Sequence, residues 1–251
     1  MGHERIVTKA YCLTDIGRVR KTNEDSTGII TGPDFTLLAV CDGMGGHRKG
    51  EVASSIALET LKKEFGAIKN PISAWKGKRL LKKCLQDANG AIFAKANGDA
   101  TCYGMGTTTV VALVLDKDTI VANVGDSRCY ELKKNRKNIK PLTNDQSYVE
   151  LLYEEGKITR TQMQHHPSKN ILTNALGIEP NLKLDIKTYK TDFKELMLCS
   201  DGLTNMVPEP QISMILARDT PVENKCLSLI NRANDLGGLD NVSVALIERS
   251  A

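Results

Sequence analysis

The sequence predicts an α+β layered sandwich, and three observations lead there. Seven apolar runs have strand character, two long stretches repeat apolar residues at helical spacing, and the connections in the middle of the chain are too short for crossover helices.

The strand-like runs are residues 35–41, 107–115, 119–124, 127–132, 182–189, 195–200 and 241–248. Asp116-Lys117-Asp118 and Val124-Gly125-Asp126 are short polar connections, so the middle of the chain reads as an antiparallel meander and not as a Rossmann-type alternation. Helical spacing places Val52, Ile56, Ala57, Leu61 and Phe65 on one face of residues 50–65. Residues 78–96 do the same through Leu81, Cys84, Leu85, Ala88 and Ile92. Shorter helices are expected over 208–217 and 222–235, each entered through a proline that suits the start of a helix. One domain over residues 1–251 is expected, with a polar insertion at 145–176 that contains Glu154-Glu155 and His165-His166 and reads as a flap over a cleft.

Composition narrows the class. With 41% hydrophobic and 25% charged residues, the 251-residue chain is an ordinary globular protein with a substantial core. The net charge of +4 comes from scattered Lys and Arg, with one short basic patch at Lys133, Lys134, Arg136, Lys137 and Lys140 that reads as a solvated hairpin loop. No nucleic-acid partner is implied. Seven cysteines, an odd number without a Cys-x-x-Cys pair, read as reduced core thiols of a cytoplasmic protein. No apolar stretch approaches the ~20 residues of a membrane span. A soluble monomer is expected.

Chemistry enters through separated acidic positions. Asp42 follows the run 35–41, Asp201 follows 196–200, and Asp240 precedes 242–247, so all three sit at strand ends, where a rigid element presents a carboxylate to a cleft. Asp25 ends Arg20-Lys21-Thr22-Asn23-Glu24-Asp25. Oxygen donors without a zinc-like His or Cys cluster favour Mn²⁺ or Mg²⁺. Gly43, lacking a Cβ, lets its own carbonyl approach a metal beside Asp42. Two such ions would activate a bridging water and neutralise phosphate charge, and the Arg20 guanidinium suits a phosphate's oxygens. Each feature alone is weak, because Asp-Gly is a common turn. The run Asp42-Gly43-Met44-Gly45-Gly46-His47 lacks the Gly-Lys-Ser/Thr of a nucleotide cradle.

In order along the chain stand Arg20 to Asp25, Asp42-Gly43-Met44-Gly45-Gly46-His47, Gly104-Met105-Gly106-Thr107-Thr108, Gly125-Asp126-Ser127-Arg128, Ser200-Asp201-Gly202 and Gly238-Leu239-Asp240-Asn241. This set resembles the type-2C metal-dependent Ser/Thr protein phosphatases, in their bacterial branch, over roughly residues 14–247. The resemblance implies a four-layer α-β-β-α sandwich with two antiparallel sheets flanked by long helices and a metal site in the cleft at the sheet ends. It implies that Asp42 bridges two metals, the Gly43 carbonyl completes one, Asp201 and Asp240 hold the other, Glu24 and Asp25 act on bound waters, and Arg20 binds the substrate phosphate. Asp126 matches a residue used with the Asp201 position for a third, weaker ion; a hairpin turn is its other reading. The implied reaction is hydrolysis of phosphoserine and phosphothreonine on proteins, with Asp25 orienting the attacking water and a Ser/Thr kinase opposing it in signalling.

Met44 stands where animal members carry a proposed general-acid His. His47 reads as a helix-entry residue, with bound water as the other proton source, while His165 and His166 read as exposed flap residues. Rival readings are a non-catalytic phosphoprotein binder and a two-metal phosphodiesterase or nuclease. All the acidic positions being present opposes the first, and the missing basic stripe opposes the second.

Overall fold

The structure is a computed structural model that describes residues 7–45, 49–134 and 137–250. Its strands are β1 (Val7–Asp15), β2 (Asp25–Thr31), β3 (Thr36–Met44), β4 (Gly106–Thr107), β5 (Thr109–Val114), β6 (Asp118–Val124), β7 (Arg128–Lys133), β8 (Lys140–Pro141), β9 (Asp185–Lys190), β10 (Phe193–Cys199) and β11 (Val242–Ser250). The helices are α1 (Gly50–Gly66), α2 (Ala74–Gly98), α3 (Tyr148–Glu154), α4 (Arg160–Gln164), α5 (Asp201–Thr204), α6 (Glu209–Leu216) and α7 (Val222–Asp235).

Two antiparallel sheets form, one ordered β1-β11-β10-β7-β8 and the other β2-β3-β5-β6-β9, with β4 on the end of β3. Side chains alternate across a strand, and here both faces of the central strands are covered. On β3, Leu37, Ala39 and Cys41 pack with the α1 and α2 residues Leu61, Phe65 and Leu85, while Leu38 and Val40 face the other sheet. On β11, Val244 and Leu246 pack with α7, while Ala245 and Ile247 meet Val40 and Val110 between the sheets. Three apolar layers therefore separate four layers of structure in the order α-β-β-α. Double coverage also explains why these antiparallel strands read as continuous apolar runs instead of clean alternations.

The expected helices are all present. Residue 78 proves too late a start for α2, whose first turn is capped by Ser73 accepting the Lys76 amide at 3.3 Å. Residues 222–235 form a helix over that whole range. Pro208 and Pro221 are the N-caps of α6 and α7, one place before the first helical residue. Besides the two-residue β8, two strands were not expected. β1 is a half-exposed edge strand whose Thr8-Lys9-Ala10-Tyr11 has no apolar run, and β2 carries Gly28 and three hydroxyl residues among its seven positions.

The meander expectation needs correction. β5 and β6 pair as a hairpin, but β6 and β7 do not pair, because β7 lies against β10 in the opposite sheet. Gly125 and Asp126 are thus a crossing between sheets, and the hairpin reading of Asp126 falls with the meander. Burial drives the crossing: Cys129 and Leu142 fill the layer between the sheets, while Tyr130 and Leu132 join the layer under α6 and α7.

The basic loop 133–140 does connect a hairpin, β7 to β8, with Arg136 outside the described residues. The seven cysteines are free, six of them buried. Among the described residues, no helix is long and apolar enough to cross a membrane.

Candidate active site

The site is built from strand ends of both sheets. Asp25 opens β2 and lies directly across from Asp42 on β3. Asp42 is set by β4 and the start of β5: its amide donates to the Thr108 hydroxyl oxygen at 3.2 Å, and its carbonyl accepts the Thr108 amide at 2.8 Å and the Thr107 hydroxyl at 2.9 Å. Gly106-Thr107-Thr108 thus holds Asp42 in place. Asp201 is the first residue of α5, just beyond the end of β10, and Asp240 sits two residues before β11.

Hydroxyl groups join the two sheets behind these carboxylates. The Ser200 side chain donates to Asp25 Oδ2 at 2.8 Å and accepts the Ser243 amide at 2.9 Å. Thr108 and Ser127 share a hydroxyl hydrogen bond at 2.7 Å. Asn241 receives the Glu24 amide at 2.8 Å and donates to the carbonyls of Ile16 and Thr22 at 2.9 and 3.0 Å, tying the 16–24 loop to the start of β11. Ser200, Ser243, Thr108 and Asn241 had no assigned role in the sequence reading. A polar residue adjoining each acidic one, as in Ser200-Asp201 and Asp240-Asn241, is the signal that marks two of them.

Close packing dictates two glycines. A Cβ at Gly43 would run into the Gly50 and Glu24 carbonyls, and one at Gly202 into the Asn241 carbonyl. The first keeps the end of β3 against the start of α1, where Gly50 lies close to the Glu24 carboxyl.

The electrostatics are those of crowded anions. Burial first, then repulsion from Asp201 and Asp240 against the hydrogen bonds of Ser243 and Ser200, pushes the Asp25 carboxyl up to about 7. Burial and the Asp25, Asp201, Asp126 and Asp240 charges raise Asp42 well above the usual carboxylate range. Asp126 is pushed up to about 8 by burial, then Asp201 and Asp145, with Arg128 opposing. Burial and the Asp240 charge raise Asp201, with the neighbouring Asp42 and Asn205 side chains opposing the rise. Glu24 is raised by burial and by Glu51, with Arg20 opposing. Oδ1 of Asp25 is buried with no hydrogen-bond partner among the described residues.

Several of these carboxylates are engaged by protein donors. Arg20 Nη2 lies 2.7 Å from Asp240 Oδ2, and Asn205 donates to Asp201 Oδ2 at 2.9 Å. Among the described residues, no three His, Cys, Asp or Glu side chains stand as a finished metal cage. The donor set fits hard divalent cations all the same, being carboxylates that burial and mutual charge drive toward protonation, a buried oxygen lacking a partner, and a carbonyl at Gly43 backed by a space that only glycine leaves. His47 lies outside the described residues.

The 145–176 segment is attached beside the site. Arg128 grips Asp145 through two bonds of 2.8 and 2.6 Å. Gln146 bonds its amide to the Gly125 carbonyl at 2.9 Å and accepts the Gly125 amide at 3.0 Å and the Asn174 side chain at 2.6 Å. At the far end, Leu176 pairs with Thr107 through two backbone bonds. Between these anchors lie α3 and α4.

Two facing antiparallel sheets with carboxylates gathered at their ends and an arginine at the mouth define a hydrolase for an anionic ester. A profile of the family described as protein phosphatase 2C matches residues 18–226. A serine/threonine phosphatase stp of Listeria welshimeri is 40% identical over 241 residues, 94% of each chain. The crystal structure of the Staphylococcus aureus serine/threonine phosphatase Stp1 superposes with a TM-score of 0.91 at 35% identity, covering 100% of both chains. The catalytic domain of the phosphatase PstP, solved in complex with two manganese ions, gives 0.83 at 29% identity, covering 98% of this chain and 100% of that one. The chain belongs to the protein phosphatase 2C family and is a serine/threonine protein phosphatase.

Proposed function

We propose that the protein removes phosphate from phosphoserine and phosphothreonine in proteins by direct attack of water on phosphorus, opposing a Ser/Thr kinase in the cytoplasm as a monomer. The observation that carries this is the carboxylate cluster itself. Asp25, Asp42, Asp126 and Asp201 are all raised by burial and mutual repulsion, a costly arrangement that divalent cations would relieve.

Asp42, the Gly43 carbonyl, Asp201 and Asp240 are the residues that would hold two Mn²⁺ or Mg²⁺ ions, with Glu24 acting through water and Asp126 with Asp201 holding a third ion. When bound, such ions lower the pKa of an attacking water and neutralise phosphate charge. Asp25, fixed by the Ser200 hydroxyl, orients that water. Arg20 engages Asp240 with one nitrogen and stands half-exposed at the mouth, so its remaining donors take the phosphate's outer oxygens and align phosphorus for in-line attack. Residues 145–176, hinged at Arg128-Asp145 and Leu176-Thr107, serve as a flap that shapes access.

The test is phosphate release from a phosphothreonine peptide with Mn²⁺. Release stops with chelator and falls at least about a hundredfold in Asp42→Asn and Asp240→Asn, the size expected when charge-stabilising groups are lost. Activity that survives both substitutions removes the metal assignment.

A further inference from the structure

Arg20 and Asp240 are joined at 2.7 Å, and two residues earlier the Arg18 amide donates to the Gly238 carbonyl at 2.7 Å. The two loops are thus tied at two points, and Val19 and Leu239 are each the chain neighbour of a member of the Arg20–Asp240 pair. Both are apolar and well exposed, at 60% and 57%. Ile16 and Leu236, on the same two loops, are exposed too. Leu239 and the Met206 sulfur both lie near Gly237, at 3.7 and 3.9 Å from where its Cβ would lie, and Met206 follows the end of α5.

Isolated apolar side chains on a surface need no explanation. Four of them on two loops riveted together at the mouth of the site do. The loops are tied down by the Asn241 hydrogen bonds and the Arg18–Gly238 bond, and Val19 and Leu239 belong to none of the packed core clusters.

We propose that Val19 and Leu239 form a specificity subsite that takes an apolar side chain of the substrate polypeptide next to its phosphoresidue. The occupant follows from continuity. Each residue is the chain neighbour of a member of the Arg20–Asp240 pair, so a phosphate held by Arg20 places the adjoining residues of its own chain over this surface. A buried apolar contact there stabilises the bound peptide without touching the reacting atoms, and a small aryl phosphate gains nothing from it. The inference rests on Arg20 as the phosphate-holding residue.

The experiment compares three substrates with Mn²⁺: a phosphothreonine peptide with Leu on both sides of the phosphothreonine, the same peptide with Ser there, and p-nitrophenyl phosphate. The wild-type enzyme favours the Leu peptide by about tenfold in kcat/KM, the worth of partly burying one or two apolar side chains. Val19→Ser and Leu239→Ser each raise KM for the Leu peptide about three- to fivefold, leave its kcat and the p-nitrophenyl phosphate rate unchanged, and abolish the preference when combined; Leu239→Met restores it.

Equal rates on both peptides, or equal losses on all three substrates, overturn the subsite. So does a change in oligomeric state by light scattering, which would make the surface a contact between copies. Failure of the Arg20 reading shows separately, as an Arg20→Ala enzyme whose KM for p-nitrophenyl phosphate matches the wild type.

Discussion

Asp25 shows how a single side chain trades stability for chemistry. It is 7% exposed, one oxygen is fixed by Ser200 and the other is buried without a partner. Asp25→Asn removes a charge that the protein interior disfavours, so in chelator at pH 8 the variant is more stable than the wild type by about 1–3 kcal/mol and melts higher, while phosphatase activity falls. Calorimetry and phosphate release check the two halves. Asn241→Ala works in the other direction: three hydrogen bonds that close the 16–24 loop are lost, costing about 2 kcal/mol and lowering activity as Arg20 and Glu24 drift. The acidic residues were legible from their places beside apolar runs. The hydroxyl and amide groups that fix them were not, because Ser200 and Ser243 meet only when β10 and β11 pair, and Thr108 reaches Asp42 only through β4.

Among the elements, α7 is fastened to its sheet by a buried ion pair. Lys225 Nζ lies 2.6 Å from Glu195 Oε1 on β10, both side chains almost wholly buried. Burial raises the Glu195 carboxyl, and Lys225 opposes the rise. Lys225→Met leaves that carboxylate with only the more distant Lys194, 3.9 Å away, and costs about 3–5 kcal/mol, whereas Lys225→Met with Glu195→Gln recovers most of the loss, as denaturant unfolding will show. At the flap, Gln146→Ala releases bonds to Gly125 and Asn174, so amide exchange quickens across 147–172 while β3 and β5 keep their protection. Long helices were legible because α1 and α2 bury one stripe each. α3 and α4 were not read, although Ser147 and the Thr159-Gln162 capping box announce their starts, since both are short and carry little apolar periodicity. β2 was missed because its apolar content is slight; its place follows from pairing with β3 along its whole length.

For the molecule as a whole, the carboxylates sit where the two sheets meet, so their charge bears on the stability of the fold. Asp25 and Asp126, raised from 3.8 to about 7 and about 8, bind more protons folded than unfolded between those values. Their contribution to stability is therefore present at low pH and is lost as pH rises through about 4 to 8. Metal-free protein accordingly melts higher at pH 6 than at pH 8. Mn²⁺ competes with those protons and reverses the trend, raising the melting temperature most at pH 8. A melting temperature in chelator that climbs from pH 6 to pH 8 would contradict this.

Local pattern was enough to reveal the elements that bury a face, the positions of Asp42, Asp201 and Asp240 beside strands, and through the ordered motifs the protein phosphatase 2C resemblance that the comparisons bear out. Those features depend on a few neighbouring residues, whose periodicity and turn chemistry survive in a linear reading. Which sheet each strand joins, that Gly125-Asp126 crosses between sheets instead of turning a hairpin, and that the loops carrying Val19 and Leu239 are tied together by Arg20–Asp240 and Arg18–Gly238 depend on contacts between distant residues. Such contacts arise only when both faces of each sheet find cover, and no stretch of sequence carries that condition alone.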